Sequence, residues 1–211
     1  MRACWSSWVS VSIHRGLSRS QARKALQAQT VRRRQLVDLR KQEDTKLKQT
    51  ADTDVRADIK SLIGVLERRI AKIEQEMVRL VNADAELAAI DEILQSAPGV
   101  GPIVSATLIA ELPELGNVDR RAIAALAGLA PVARDSGKRS GPRAIEGGRP
   151  VIRTILYLAG LHASRAASRF RDFRDRLQRA GKAPKAAIIA TARKLLVTLN
   201  AMVATRQRYA A

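Results

Sequence analysis

Aromatic and metal-binding side chains are scarce in this sequence. Aromatic residues make up 3% of the 211 positions, so alanine, leucine, isoleucine and valine have to fill the core. Aliphatic side chains of this kind suit helices packed on helices. Cys4, the single cysteine, excludes an intramolecular disulfide and a cysteine-rich metal site, and predicts a reducing cytoplasm. The two histidines, His14 and His162, are too few for a histidine metal cluster, so no metal site is expected in this chain.

Acidic residues and long apolar runs are also in short supply. The chain has 20 Asp and Glu against 38 Lys and Arg, which gives a net charge of +18 and a pI of about 11.3. The imbalance is strongest from position 111 to the end, where 20 basic residues face 7 acidic ones. Such an excess predicts a polyanionic partner, most simply DNA or RNA. The sequence shows no apolar run as long as a membrane span, so no membrane partner is expected.

The first 20 residues differ from the rest of the chain. They contain six serines, Cys4 and two tryptophans, without clear periodicity. We expect this segment to be atypical and disordered, because no amphipathic pattern is present to order it. An abnormal or truncated start of the coding sequence is the simplest explanation of its composition.

A long helical hairpin is predicted for residues 21–90. A polar helix covers 20–49, a turn with N-cap residues covers 50–54, and the second helix continues as far as Ser96. The second helix carries a nearly heptad apolar seam, which predicts an antiparallel coiled coil. The hairpin is interpreted as a dimerisation arm or spacer, or alternatively as half of a helical bundle. The seam consists of Ile59, Leu62, Leu66, Ile70, Ile73, Met77 and Leu80.

A helix-hairpin-helix is predicted over about 93–112. Pro98, Gly99, Val100 and Gly101 lie between two helical segments, the second of which is rich in alanine. Gly99 and Gly101 permit a tight turn with exposed backbone N–H groups, beside the positive end of the second helix. Such a turn binds a DNA phosphate without reading sequence. The alternative is an ordinary turn between two helices.

The segment 128–150 interrupts the helical pattern. Four glycines follow Gly128, at 137, 141, 147 and 148, and prolines occur at 131, 142 and 150. Arginine grips phosphate oxygens, and a serine among arginines is either a phosphate ligand or a nucleophile toward a phosphodiester. The alternative is a flexible basic surface loop. The predicted phosphate-binding cations are Arg134, Lys138, Arg139, Arg143, Arg149 and Arg153.

Further helices are predicted over 119–129, 151–167, 170–179 and 185–206. No period-2 alternation occurs, so the fold class is all-α without a sheet, and 91–211 forms one helical C-terminal domain. The arginine cluster at 169–179 is either a solvated face or a contact to a nucleic-acid backbone.

Several motifs together resemble the C-terminal half of the insertion sequence one-ten family of transposases, which are relatives of the Piv DNA invertase. The similarity covers about 23–202 and is greatest to the one-sixteen/nine-oh-two branch. The motifs are Pro98-Gly99-Val100-Gly101, Ala124-Ala125-Leu126-Ala127-Gly128-Leu129-Ala130-Pro131, Arg134-Asp135-Ser136-Gly137-Lys138, Gly141, Ile145 with Gly147-Gly148-Arg149, Arg153 with Leu156-Tyr157, Ala192-Arg193-Lys194-Leu195-Leu196 and Leu199-Asn200-Ala201-Met202.

The resemblance implies a DNA recombination chemistry that uses a serine nucleophile. In the family a serine of the C-terminal domain attacks DNA and forms a phosphoserine link. That serine precedes a glycine, five residues after the proline of a Gly-Leu-x-Pro motif, which corresponds to Ser136 after Pro131. Ser140 also precedes a glycine, nine residues after Pro131, and is the second choice.

The resemblance also implies parts that this chain does not match. Family members carry an N-terminal RuvC-like domain with four acidic residues that bind Mg²⁺, and no position here corresponds to them. We therefore expect a truncated copy, without a cofactor of its own and inactive alone. DNA is the implied partner, some members use a guide RNA, and the coiled coil implies a homo-oligomer.

Overall fold

A computed structural model describes residues 19–132, 144–165 and 167–210. Within these ranges the fold is helical, which confirms the all-α class, with one pair of two-residue strands that the sequence did not predict. A ladder of two residues is too short to show period-2 alternation. The elements are α1 (Arg19–Gln49), α2 (Thr53–Asn82), α3 (Ala85–Gln95), α4 (Pro102–Glu111), α5 (Arg120–Leu126), β1 (Pro131–Val132), β2 (Ala144–Ile145), α6 (Pro150–Ala163), α7 (Arg169–Arg179) and α8 (Pro184–Thr205).

Helices α1 and α2 pack along each other as an antiparallel hairpin. Arg33 on α1 contacts Glu74 on α2 at 2.6 Å, and Arg40, further along α1, contacts Glu67, which lies earlier on α2. The turn ends at Asp52, whose carboxylate accepts the Val55 N–H and caps α2. The first helix and the connecting turn therefore lie where the sequence predicts them.

The apolar seam of α2 is buried along most of its length. Leu62 departs from the pattern, since 43% of it is exposed. Near the rest of the domain, Leu26 and Met77 join the main core, so the hairpin is anchored there. Further out, Leu36, Leu66 and Ile70 form a separate small cluster.

The second helix of the hairpin ends earlier than predicted. The sequence suggests one helix through Ser96, whereas the structure divides it at Ala83 and Asp84. The Asp84 carboxylate accepts the N–H groups of Glu86 and Leu87, which starts α3 as a new helix. An acidic N-cap competes with helix continuation because it satisfies the first free N–H groups of the next helix.

Helix α8 is the central helix of the remaining domain. It packs against α3, α5, α6 and α7, and its Leu195, Leu196 and Leu199 are fully buried. Its length and apolar composition also suffice to span a membrane, whereas no segment of that kind was predicted from the sequence. Half of that apolar stretch is buried inside the fold, and the core helices of helical proteins have the same length and composition.

The side chains of Asn200 and Ser96 bind two non-helical segments of the chain by hydrogen bonds. Asn200 on α8 is 7% exposed, accepts the N–H of Gly116 at 2.8 Å and donates to the Val118 carbonyl at 2.8 Å. These bonds fix the segment between α4 and α5 onto α8. At the C-terminal end, the N–H of Tyr209 donates to Ser96 Oγ at 2.8 Å, which ties the tail to the end of α3.

Candidate nucleic-acid interface

The strands β1 and β2 bring the two ends of the basic loop together. They pair in antiparallel fashion, with Pro131 opposite Ile145 and Val132 opposite Ala144. Val132 and Ala144, which flank the segment 133–143, therefore lie next to each other between α5 and α6. The predicted nucleophiles and four of the predicted cations lie at 133–143, outside the described residues. These are Ser136, Ser140, Arg134, Lys138, Arg139 and Arg143.

The base of the loop is a contact between two glycine backbones. Gly128 follows α5 and Gly148 precedes α6, and both have positive φ, +66° and +61°. A Cβ atom on Gly148 would lie 2.2 Å from the Gly128 nitrogen, so neither a side chain nor its usual backbone conformation fits here. The glycines at these two positions therefore have a packing role at the root of the loop.

Arg149 joins the loop root to α5 and to the segment that follows α4. Its N–H donates to the Leu126 carbonyl at 2.8 Å, and its guanidinium forms two bonds, of 2.7 and 2.6 Å, to the Glu114 carboxylate. The hydrogen bonds from Arg149 lower the pKa of Glu114 below its ordinary value of 4.5, and those to Glu114 raise the pKa of Arg149. Arg149, predicted to bind phosphate, thus has a carboxylate partner within the protein.

Arg153 also contacts the base of the loop. Its Nη1 donates to the Gly147 carbonyl at 2.8 Å, one turn into α6. The guanidinium has further N–H groups, since arginine carries five donors. Arg153 therefore supports the loop root through one of these donors.

Cations of α1 lie next to the same end of α6. A groove of about 400 Å³ is lined by Arg34 and Lys41 of α1 and by Pro150 and Thr154 of α6, with Asp38 as the acidic member. The sequence does not show this proximity, because more than 100 residues separate the two helices. Cationic side chains of α1 therefore lie beside the start of α6, close to the loop root.

The turn of the predicted helix-hairpin-helix joins α3 to α4, but its two glycines are in different surroundings. Gly99 has φ +82°, and a Cβ there would lie 2.4 Å from the Ala159 carbonyl oxygen and 2.6 Å from the Ala163 nitrogen. Gly99 thus faces the backbone of α6. Gly101 is the N-cap of α4, without a side-chain cap, and a Cβ there would have no neighbour within 4 Å. The structure gives Gly99 a packing role and leaves space at Gly101 on the side where its Cβ would be.

Side chains that could hold a metal ion do not cluster in the described ranges. No group of three or more His, Cys, Asp or Glu residues there has a suitable arrangement. The Mg²⁺ that the family resemblance implies has no donor set among these residues.

Comparisons with known proteins agree with these features. Residues 91–175 match the model of the Transposase IS116/IS110/IS902 family, a segment that runs from α3 into α7 and includes the loop. The chain is 38% identical over 119 residues to the "Insertion element IS900 uncharacterized 42 kDa protein" of Mycobacterium paratuberculosis, covering 53% of this chain and 29% of that protein. It is 28% identical over 163 residues to the "Insertion element IS116 uncharacterized 44.8 kDa protein" of Streptomyces clavuligerus, covering 74% and 39%.

The matched regions therefore span about a third of the length of these curated relatives. Both relatives are proteins of insertion elements, as their names state, and both alignments agree with the family model. Residues 91–175 of this chain are therefore similar to the transposase IS116/IS110/IS902 family.

Proposed function

We propose that this chain is the DNA-binding C-terminal part of a transposase or site-specific recombinase, acting in DNA transposition. The observation that carries the proposal is the family match over 91–175, which includes the basic loop. The net charge of +18 supports a nucleic-acid partner, and the loop root gives the loop a fixed attachment. Cytoplasmic location, homo-oligomerisation through the coiled-coil hairpin and use of a guide RNA belong to the same proposal.

We further propose that Ser136 is the nucleophile. Its Oγ would attack a DNA phosphodiester, so that the serine O–P bond forms as the P–O bond to the sugar breaks, and the serine proton passes overall to the leaving oxygen, which is released as the sugar hydroxyl. The positions of Ser136 after Pro131 and before Gly137 support this choice, and Ser140 is the second choice. Arg134, Lys138, Arg139, Arg143 and Arg153 would neutralise the phosphate charge.

The turn between α3 and α4 is proposed as a phosphate-binding helix-hairpin-helix. The open space at Gly101 and the first N–H groups of α4 support it. Gly99 serves by packing the turn onto α6.

DNA binding is tested by fluorescence anisotropy with duplex DNA taken from the flanks of the gene. We expect an affinity that falls steeply, by about a thousandfold or more, between about 50 and 200 mM salt if six or more phosphates are contacted. Binding that is absent at moderate salt would refute the proposal, because the fold would then have no nucleic-acid role.

A second candidate is a non-catalytic remnant that binds nucleic acid or dimerises with full-length transposase and so modulates it. The observation that favours it is the outer part of the hairpin, where Leu39, Val55 and Leu62 are 43–50% exposed. The two candidates differ in one result, a covalent link between the chain and DNA. A chain that co-purifies with a full-length relative but never forms the link would support the second candidate.

A further inference from the structure

A second basic surface lies on α7, which follows α6 in the chain. Phe170 on the inner side of this helix is 1% exposed, whereas five residues on another side line a groove of about 400 Å³. The spacing of three, four and seven residues along the helix places these side chains on one face. We call this the α7 face. It consists of Arg169, Asp172, Phe173, Arg176 and Arg179, with Lys194 of α8.

The α7 face has a net positive charge. It contains four cations and one carboxylate, that of Asp172. The other carboxylate of the helix, Asp175, receives two bonds of 2.6 and 2.8 Å from Arg174 and lies 3.9 Å from Arg171. Asp175 is therefore engaged by arginines outside the groove, and the groove itself carries a surplus of three positive charges.

Phe173 holds two of the cations in place. Lys194 Nζ lies over the ring at 4.4 Å from its centroid, and the Arg176 guanidinium carbon lies over it at 5.5 Å. Cation–π attraction at these distances orients both side chains toward the groove. Single-strand binding depends on aromatic faces on which bases stack, but here the ring is covered by cations. This arrangement suits a phosphate backbone better than unpaired bases.

We propose that the α7 face binds the phosphate backbone of duplex DNA without reading sequence, an inference that rests on the proposed DNA-binding function. Ten residues of helix separate Arg169 from Arg179, a distance of about 15 Å. One strand of a duplex carries a phosphate about every 3.4 Å along the axis, so the face matches a run of about four phosphates.

The loop root and the start of α7 lie at opposite ends of α6. The loop root is at Pro150 and α7 follows Ala163, and an α-helix of 14 residues is about 20 Å long. That distance corresponds to about six base pairs of duplex DNA. The α7 face would thus hold the duplex several base pairs from the loop root.

The test compares two triple variants of the whole chain that lose the same charge. Arg176→Gln/Arg179→Gln/Lys194→Gln removes three cations from the α7 face. Its matched control, Lys60→Gln/Arg68→Gln/Arg69→Gln, removes three exposed cations from α2 of the hairpin.

The probe is a labelled duplex of about 30 base pairs, and the Kd is measured as a function of salt concentration. For the α7 variant, we expect the slope of log K against log salt concentration to be smaller in magnitude by about two to three. Each phosphate contact contributes about 0.9 to that slope, and the variant loses three cations. The control is expected to keep the slope within about one. Equal losses in the two variants would overturn the inference, because net charge alone would then explain both.

Three further outcomes separate the possible failures. If the unmodified chain binds no duplex DNA, the proposed function fails together with the inference. If it binds with a steep salt dependence and the α7 variant matches it, only the inference fails. A competitor RNA duplex or single strand of the same sequence that displaces the probe better than duplex DNA would overturn the assignment to DNA.

Thermal melting checks that both variants fold. Arg179→Glu, a single change at an exposed position, is expected to weaken binding by itself.

Discussion

Replacing Gly99 by alanine is expected to destabilise the domain far more than the same replacement at Gly181. Both glycines have φ +82°, so alanine meets the same backbone strain at each. That strain is about 1–2 kcal/mol, and the reduced freedom of the unfolded chain offsets about 0.4–1 kcal/mol of it. At Gly181 a Cβ has no neighbour within 4 Å, so the net cost there is roughly 1 kcal/mol.

Gly99 adds a steric cost to that strain. The new Cβ would lie 2.4 Å from the Ala159 oxygen, whereas ordinary contacts begin near 3.4 Å, so the turn or α6 has to move by about 1 Å. Forced overpacking of this kind costs about 1–3 kcal/mol. The total destabilisation at Gly99 is therefore roughly 3 kcal/mol.

The assay is thermal unfolding of the two single variants, followed by circular dichroism. For a domain of this size, 1 kcal/mol lowers the Tm by about 2–4 °C. We expect a Tm lower by about 3 °C for Gly181→Ala and by about 10 °C for Gly99→Ala. Equal shifts would refute the packing argument. A Gly99→Ala chain with unchanged Tm but weakened DNA binding would show that Gly99 serves phosphate approach instead.

Two further predictions concern polar contacts of the domain. The coupling between Arg149 and Glu114 is expected to be about 1 kcal/mol in a double-mutant cycle, discounted because the two side chains are 36% and 30% exposed. Since the pKa of Glu114 is lowered in the folded state, this stabilisation is present above pH 4.5 and is lost as the pH falls through the folded-state pKa, which urea unfolding at several pH values checks. Asn200→Ala is expected to lower the free energy of unfolding by about 1–3 kcal/mol in urea, because the Gly116 N–H and the Val118 carbonyl lose their partner. A loss of less than a few tenths of a kcal/mol would contradict that role. Thr198→Ala, an outward-facing change on the same helix, is the control.

Local sequence patterns predicted most of the helices. The apolar seam of α2, the Asp52 cap and the breaks at Gly99, Gly181 and Pro184 are local signals, and the structure has helices between them. The split at Asp84 was missed because the apolar pattern continues across it, although the Asp84 side chain is itself a recognisable N-cap.

The roles of the predicted site residues were less predictable, because they depend on distant partners. Nothing in the local sequence pairs Arg149 with Glu114, which is 35 residues away, or sets Gly99 against α6. Arginine in a glycine-rich basic segment suggests phosphate binding, but a carboxylate from another element satisfies it as well. The position of Lys194 over Phe173 likewise follows from the packing of α7 on α8, which sequence periodicity does not specify.

The most direct test of the central claim is to locate a covalent DNA link on this chain. The chain is incubated with Mg²⁺, duplex DNA from both flanks of its gene, and a full-length relative whose own equivalent serine has been replaced by alanine. Peptide mass spectrometry of the chain then identifies any phosphoserine bond. We predict a link at Ser136 that disappears in Ser136→Ala and persists in Ser140→Ala. A link confined to Ser140, or no link while DNA binding is retained, would contradict the assignment of Ser136.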